Sequence, residues 1–96
     1  MIDTIVLIRD HRAGVYVGAL AAFDAAAKTA TMTGARKIWY WSGAASVDGI
    51  AVRGIDRAKS KVCAAVEQVH LLDVVQVIAC TSDGAESVLG APEWRP

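Results

Sequence analysis

The chain has 96 residues, of which 54% are hydrophobic, and its ten basic side chains balance ten acidic ones. A chain of this length is expected to fold as one domain, residues 1–96, with a modest core. Overall neutrality argues against a protein that coats long nucleic acid, because such binding uses many Lys and Arg contacts to phosphate. The positive charge is nevertheless concentrated in residues 28–61, with seven basic and two acidic side chains, which suits an anionic ligand or head-to-tail self-association.

The first part of the chain has the pattern of strands joined by short turns. Residues 4–9 are apolar and β-branched, and a polar connection at 10–14 leads to a second such segment at 15–20, which predicts a hairpin. Residues 21–28 are rich in alanine and fit either a helix or a continuing strand with a turn. We favour the strand, because eight residues make a marginal helix. Residues 29–33 alternate in polarity and predict another strand.

Two short helices are predicted later in the chain. Ser42 and Ser46 can both cap a helix, and apolar residues at helical spacing favour one from about Ser46 to Arg53 that ends at Gly54. Ser82 or Asp83 can cap a second helix that stops at Gly90. Trp94 would then fold back onto the sheet or onto a neighbouring molecule.

The remaining segments complete a mainly β (α+β) fold. Gly34 is expected to interrupt the strand at 29–33, and residues 38–41 fit a strand or an irregular segment. A basic loop at 55–61 precedes two apolar β-branched segments, 62–72 and 74–81, with a turn at Asp73. Five or six closely spaced strands with two short helices predict a small antiparallel barrel or a strongly curved sheet.

The run from Arg36 to Trp41 is the candidate site, because it joins two tryptophans and a tyrosine to an Arg-Lys pair. Aromatic rings and cations can together stack on a base and bind phosphate. Strand alternation places Arg36 and Tyr40 on one face and Lys37, Trp39 and Trp41 on the other. We expect the first face to meet the ligand and the tryptophans to anchor the fold or an interface. Residues elsewhere that can complete the pocket are Arg9, Arg12, Tyr16, Ser60 and Lys61.

Catalysis is the weaker hypothesis, and no catalytic residue is predicted. His11 and His70 stand outside any recognisable catalytic pattern, and Cys63 and Cys80 lie in apolar segments without metal-ligand spacing. The glycines form no phosphate-binding loop. We therefore expect no metal ion and no cofactor. The apolar run near the N-terminus is too short to span a bilayer, so a cytoplasmic, soluble protein is expected.

Several motifs together resemble a family of short hypothetical proteins from tailed phages and prophages. They are the segments AGVYVGAL at 13–20, ARKIWYWSGA at 35–44, KSKV at 59–62 and VIACT at 77–81. The resemblance covers most of the chain and brings no catalytic residues with it. It implies a viral origin and expression in a bacterial cytoplasm.

Three functions are compatible with that resemblance. The leading one is a non-enzymatic, homo-oligomeric accessory protein that sequesters a nucleotide-like anionic signal of host immunity, since such ligands offer bases to stack and phosphates to pair. A virion or assembly component is the first alternative. A protein-binding inhibitor of a host defence factor is the second.

Overall fold

A computed structural model describes residues 4–96 and shows a single five-stranded antiparallel sheet with two helices. The first four strands form a meander, and the fifth adds to the free side of the first, so the order is β4-β3-β2-β1-β5. The predicted mainly β fold is therefore confirmed. The elements are β1 (Ile5–Asp10), β2 (Gly14–Asp24), β3 (Thr29–Tyr40), α1 (Val47–Arg53), a 3-10 helix (Arg57–Lys59), β4 (Lys61–Leu71), β5 (Val74–Ala79) and α2 (Ser82–Leu89).

The sheet has a buried cluster on each face. On one face, hereafter the helix face, Leu7 of β1 and Ile38 of β3 pack against Ile50 of α1 and Val88 of α2. On the other, the open face, Val6, Ile8 and Met32 are fully buried, although no described helical residue belongs to their cluster. Alternation along β1 and β3 explains why neighbouring apolar residues serve different clusters.

Curvature of the sheet encloses the open-face cluster. The long β2–β3 hairpin bends until the Lys28 carbonyl accepts a hydrogen bond of 2.9 Å from the Val74 amide at the start of β5. The β4–β5 turn lies beside the β1–β2 turn, where the His11 amide donates to the Asp73 carbonyl. The sheet is strongly curved but not closed into a barrel, because β4 and β5 remain its two edges.

Gly34 bends β3 rather than ending it. It lies at φ +57°, where β2 and β3 shift register, and β3 continues to Tyr40. A glycine adopts this left-handed conformation without steric cost, so the strand can form a bulge and change direction here. The prediction that Gly34 interrupts the strand is therefore wrong, whereas the predicted extension of β2 with a turn at 25–28 is confirmed.

Both predicted helices are present and they contact each other closely. Ser46 caps α1, as predicted. The cap of α2 is Thr81 instead of Ser82 or Asp83, because the Thr81 hydroxyl accepts from the Gly84 amide at 3.0 Å. A Cβ atom at Gly84 would lie 2.1 Å from the Ala51 carbonyl oxygen, so the absence of a side chain lets the two helices meet backbone to backbone.

Candidate functional site

Arg36 is buried, which overturns the prediction that it faces a ligand together with Tyr40. Its side chain lies on the helix face at 6% exposure. The guanidinium donates to the carbonyl oxygens of Cys63 at 2.8 Å and Ala91 at 2.5 Å, and also reaches those of Val62, Val88 and Leu89. Five donors in a fixed fork match this ring of acceptors, so Arg36 has a structural role.

Arg36 and Arg57 together satisfy the C-terminus of α2. The last four carbonyls of a helix have no partner within it, and those of α2 all find donors here. Arg57 donates to the Glu86 and Ser87 carbonyls, and Arg36 donates to the next two. The Gly90 and Ala91 amides also donate to the Glu86 and Val88 carbonyls. Because α2 has no basic residue in its last turn, the charge opposite the negative helix end comes from distant segments.

We expect Arg36→Ala to lower the free energy of unfolding by about 3 kcal/mol or more, since it leaves several buried carbonyls without donors. Arg57→Ala is the matched control, because Arg57 contacts the same helix end from an exposed position and should cost about 1 kcal/mol or less. Urea denaturation of both variants measures the difference. Equal losses for the two variants would contradict the structural role of Arg36.

Two tryptophans and two lysines form the candidate site, hereafter the aromatic–cationic surface: Trp39 and Lys61 are exposed, and Lys37 and Trp94 are half-buried. The indoles of Trp39 and Trp94 stack nearly parallel, with an interplanar angle of 8° and centroids 6.1 Å apart. The Lys37 ammonium lies 5.8 Å from the Trp39 ring centroid, and the Lys61 ammonium lies 5.2 Å from that of Trp94. A stacked pair of rings with a cation at each member combines the two contacts that recognise aromatic anions.

Trp39 is exposed, so it does not anchor the fold; the sequence predicted an anchor of the fold or of an interface. It retains 59% of its accessible surface, because alternation from buried Ile38 turns it to the open face together with Lys37. The site also includes Trp94, which the sequence-based set of site residues omitted. The Trp94 amide donates to the Val62 carbonyl at 2.8 Å, and this bond brings the C-terminal tail back along β4. The only signal in the sequence was a third tryptophan placed just beyond Pro92.

Tyr40 and Trp41 extend the surface and link it to the core. Tyr40 is 54% exposed, and a shallow depression of about 380 Å³ is lined by Trp39, Tyr40 and Trp41. Trp41 is half-buried against the helix-face cluster and donates through Nε1 to the Ala44 carbonyl, so its predicted anchoring role is confirmed. The Ser60 hydroxyl accepts from the Ser42 amide at 3.0 Å and fixes the loop that follows Trp41.

The structure separates the three hairpin residues that were expected to complete the pocket. Tyr16 pairs in register with Lys37 and shares its face. Arg9 lies on the opposite face, because the strand partner of Tyr16 is the neighbouring Ile8. Arg12 lies in the β1–β2 turn and forms an exposed 3.6 Å ion pair with Asp73. Of the three, only Tyr16 lies on the face that carries the aromatic–cationic surface.

A second depression, of about 560 Å³, lies between the β1–β2 and β4–β5 turns. Asp10 forms its floor and links the turns, because its buried carboxylate accepts from the amides of Arg12, Ala13 and Asp73 at 2.8–2.9 Å. Burial alone would raise the pKa of Asp10, but the three backbone donors outweigh it and hold the pKa below its ordinary value. These donors already engage the carboxylate, so Asp10 is a structural group.

The depressed pKa makes the stability of the fold dependent on pH through Asp10. This contribution should be complete above about pH 4, the usual pKa of an unfolded aspartate, and should disappear as the pH falls through the lower folded-state value. We therefore expect Asp10→Asn to reduce the free energy of unfolding at pH 7 by about 1–3 kcal/mol. The deficit should shrink on acidification, as followed by urea denaturation across pH 7 to 2. A deficit of constant size would contradict this assignment.

Two further titratable side chains, those of Tyr16 and Cys80, have raised pKa values. Burial, followed by the nearby Cys63 and Asp10, raises the pKa of Tyr16. Burial raises the pKa of the Cys80 thiol to about 11, so it is protonated at neutral pH. Within residues 4–96, no three His, Cys, Asp or Glu side chains cluster as metal ligands would. What the arrangement offers is stacking area and mobile positive charge.

Fold and surface define a small antiparallel β-sheet domain that displays an aromatic–cationic surface on the open side of its sheet. The chain belongs to the family described as a domain of unknown function (DUF6948), whose sequence model matches residues 3–88. No curated protein and no solved structure matches the chain. Neither helix in the described part of the chain has the length and apolarity that crossing a membrane requires.

Proposed function

We propose that this protein binds a nucleotide-like anionic small molecule at the aromatic–cationic surface and does not transform it. The observation that carries the proposal is the parallel stack of exposed Trp39 on half-buried Trp94, with Lys37 and Lys61 beside the rings. More than half of the Trp39 surface stays in contact with solvent in the free protein, so this part of the ring does not stabilise the fold by burial. One face of the Trp39 ring stacks on Trp94, and the exposed remainder of the ring is available to a ligand ring.

Stacking would supply the larger part of the affinity. A nucleobase stacked on an aromatic side chain contributes about 1–3 kcal/mol, and it does so for any base because every base has a π-face. Trp39 is a residue of β3, so its backbone is held in the sheet. The backbone of Trp94 is held by its hydrogen bond to β4. Little ordering of these rings is therefore required on binding, which limits the entropic cost.

The lysines would supply attraction to phosphate. Each ammonium is carried on a flexible four-carbon stem, so it can leave the ring and contact a phosphate oxygen of a stacked ligand. The Glu93 carboxylate on the tail is paired with Arg95 at 2.6 Å. The two ammonium groups at the rings favour an anion.

In its cellular setting, we place this binding in the cytoplasm of a bacterium infected by a tailed phage. A homo-oligomer that sequesters a cyclic nucleotide or an ADP-ribose-derived signal would lower its free concentration and counter host immune signalling. Binding without turnover is sufficient for that role, and a surface built from rings and lysines supports it.

Isothermal titration against cyclic di- and trinucleotides and cyclic ADP-ribose isomers tests the proposal. We expect at least one ligand to bind and to be recovered unchanged. Trp39→Ala should weaken binding about 5- to 100-fold, the loss expected for one stacked base. Removing the charges in Lys37→Met and Lys61→Met should weaken binding and reduce its dependence on salt.

Phe23→Ala is the matched control for the tryptophan variant. Phe23 is an exposed aromatic residue at 45% exposure on the β2–β3 hairpin, outside the aromatic–cationic surface. Phe23 also lines the groove beside β5, so the two variants are compared under conditions in which light scattering gives them the same mass. Removal of Phe23 should then leave the affinity unchanged. If the wild-type protein binds no ligand of the panel, the proposal is refuted. Equal losses of affinity for Phe23→Ala and Trp39→Ala would also refute it.

A virion or assembly component is the second candidate, and the two open edges of the sheet favour it, because unpaired strands are sites of association. Mass spectrometry of purified phage particles would then detect the protein at a fixed ratio to known structural proteins. Its absence from particles, with abundance in the infected cell, would rule out a virion component, and its absence from assembly intermediates as well would rule out an assembly role.

A further inference from the structure

The outer edge of β4 is open over most of its length. The C-terminal tail covers the start of this edge, where the Trp94 amide bonds to the Val62 carbonyl. Residues 64–71 remain beyond it, and five consecutive residues, 64–68, are exposed. This segment is small and apolar apart from Glu67, Gln68 and His70, and it contains no proline. Natural proteins usually protect such an edge with charges, proline or a covering segment.

The outer edge of β5 is also open. The Cys80 amide donates to the Ile5 carbonyl at 3.0 Å, so alternation directs the backbone groups of Val77 and Ala79 away from β1. A groove of about 400 Å³ runs between this edge and the bent β2–β3 hairpin, and its one charged lining residue is Lys28. The floor of the groove is formed by apolar side chains of β5.

We infer that β4 of one copy of this chain pairs with β5 of a second copy, so that the sheet continues from molecule to molecule. The lengths agree, because eight of the eleven residues of β4 lie beyond the tail and β5 has six. Both edges are rich in β-branched residues and alanine, which suit strand pairing. Charge is complementary, since Glu67 is the one carboxylate of the open β4 segment and Lys28 the one charge of the facing groove.

Pairing of β4 with β5 also uses both open edges of every molecule. Pairing of β4 with a second β4 would leave each β5 uncovered, and its central register would place Glu67 opposite Glu67, which is unfavourable. The β4–β5 contact is heterologous, so it generates a ring or a chain of copies. It brings the neighbouring molecule beside the tail that carries Trp94, next to the aromatic–cationic surface.

Light scattering on the full-length protein without ligand tests this inference. The wild-type chain of 10.1 kDa should elute with a mass that is a multiple of the single chain. Ala79→Pro should elute as a single chain. The substitution removes an amide that points to the outer edge, and it leaves the hydrogen bonds between β5 and β1 in place. Its circular dichroism and melting temperature should match those of a folded domain, which separates loss of association from loss of fold.

A charge exchange tests the partner strands themselves. Lys28→Glu and Glu67→Lys should each weaken association, and the double variant should restore it. A wild-type protein that is a single chain at all concentrations would overturn the inference, and so would an oligomer that survives Ala79→Pro. The inference rests on the self-association within the proposed function but not on its ligand, so light scattering and titration fail independently of each other.

Discussion

The guanidinium of Arg36 is the interaction on which the arrangement of this domain depends. A buried positive charge is costly unless its donors are satisfied. Here the ring of carbonyls from β4 and the end of α2 satisfies them. No carboxylate lies within ion-pair distance of Arg36 in the described part of the chain, so the partial charges of the helix end and of the strand take that role. One side chain thereby fixes α2, β3 and β4 relative to one another.

The aromatic–cationic surface follows from the position of this arginine. Since Arg36 and Ile38 point to the helix face, Lys37 and Trp39 must point to the open face. The same β4 carbonyls that receive Arg36 lie beside the segment to which the tail returns, and that return brings Trp94 to Trp39. The exposed rings are thus placed by a buried structural residue that does not itself lie on the candidate site.

Local patterns in the sequence predicted most of the fold, and they failed where a tertiary contact decides the outcome. The Ser46 cap and the strand at 29–33 follow from side chains a few residues apart, so they were predictable. The burial of Arg36 and the exposure of Trp39 were not predictable. Arg36 is buried because it bonds to carbonyls of a helix more than fifty residues away, and Trp39 then faces the other side of the strand. Trp94 joins the site through one long-range backbone bond, which leaves no periodic signal. That β3 continues beyond Gly34 was likewise not predictable, because it depends on how β3 pairs with β2.

The stack of Trp39 and Trp94 gives the molecule its own optical reporter. Two of its three tryptophans lie face to face, and one of them is carried on a short tail that meets β4 through a single backbone bond. Trp94 lies outside both buried clusters, whereas Ala91 belongs to one of them. Release of the residues after Ala91 would therefore separate the indoles and leave the clusters in place. Near-ultraviolet circular dichroism and indole fluorescence therefore register opening of the C-terminus as an event distinct from global unfolding, and they do so without any attached label.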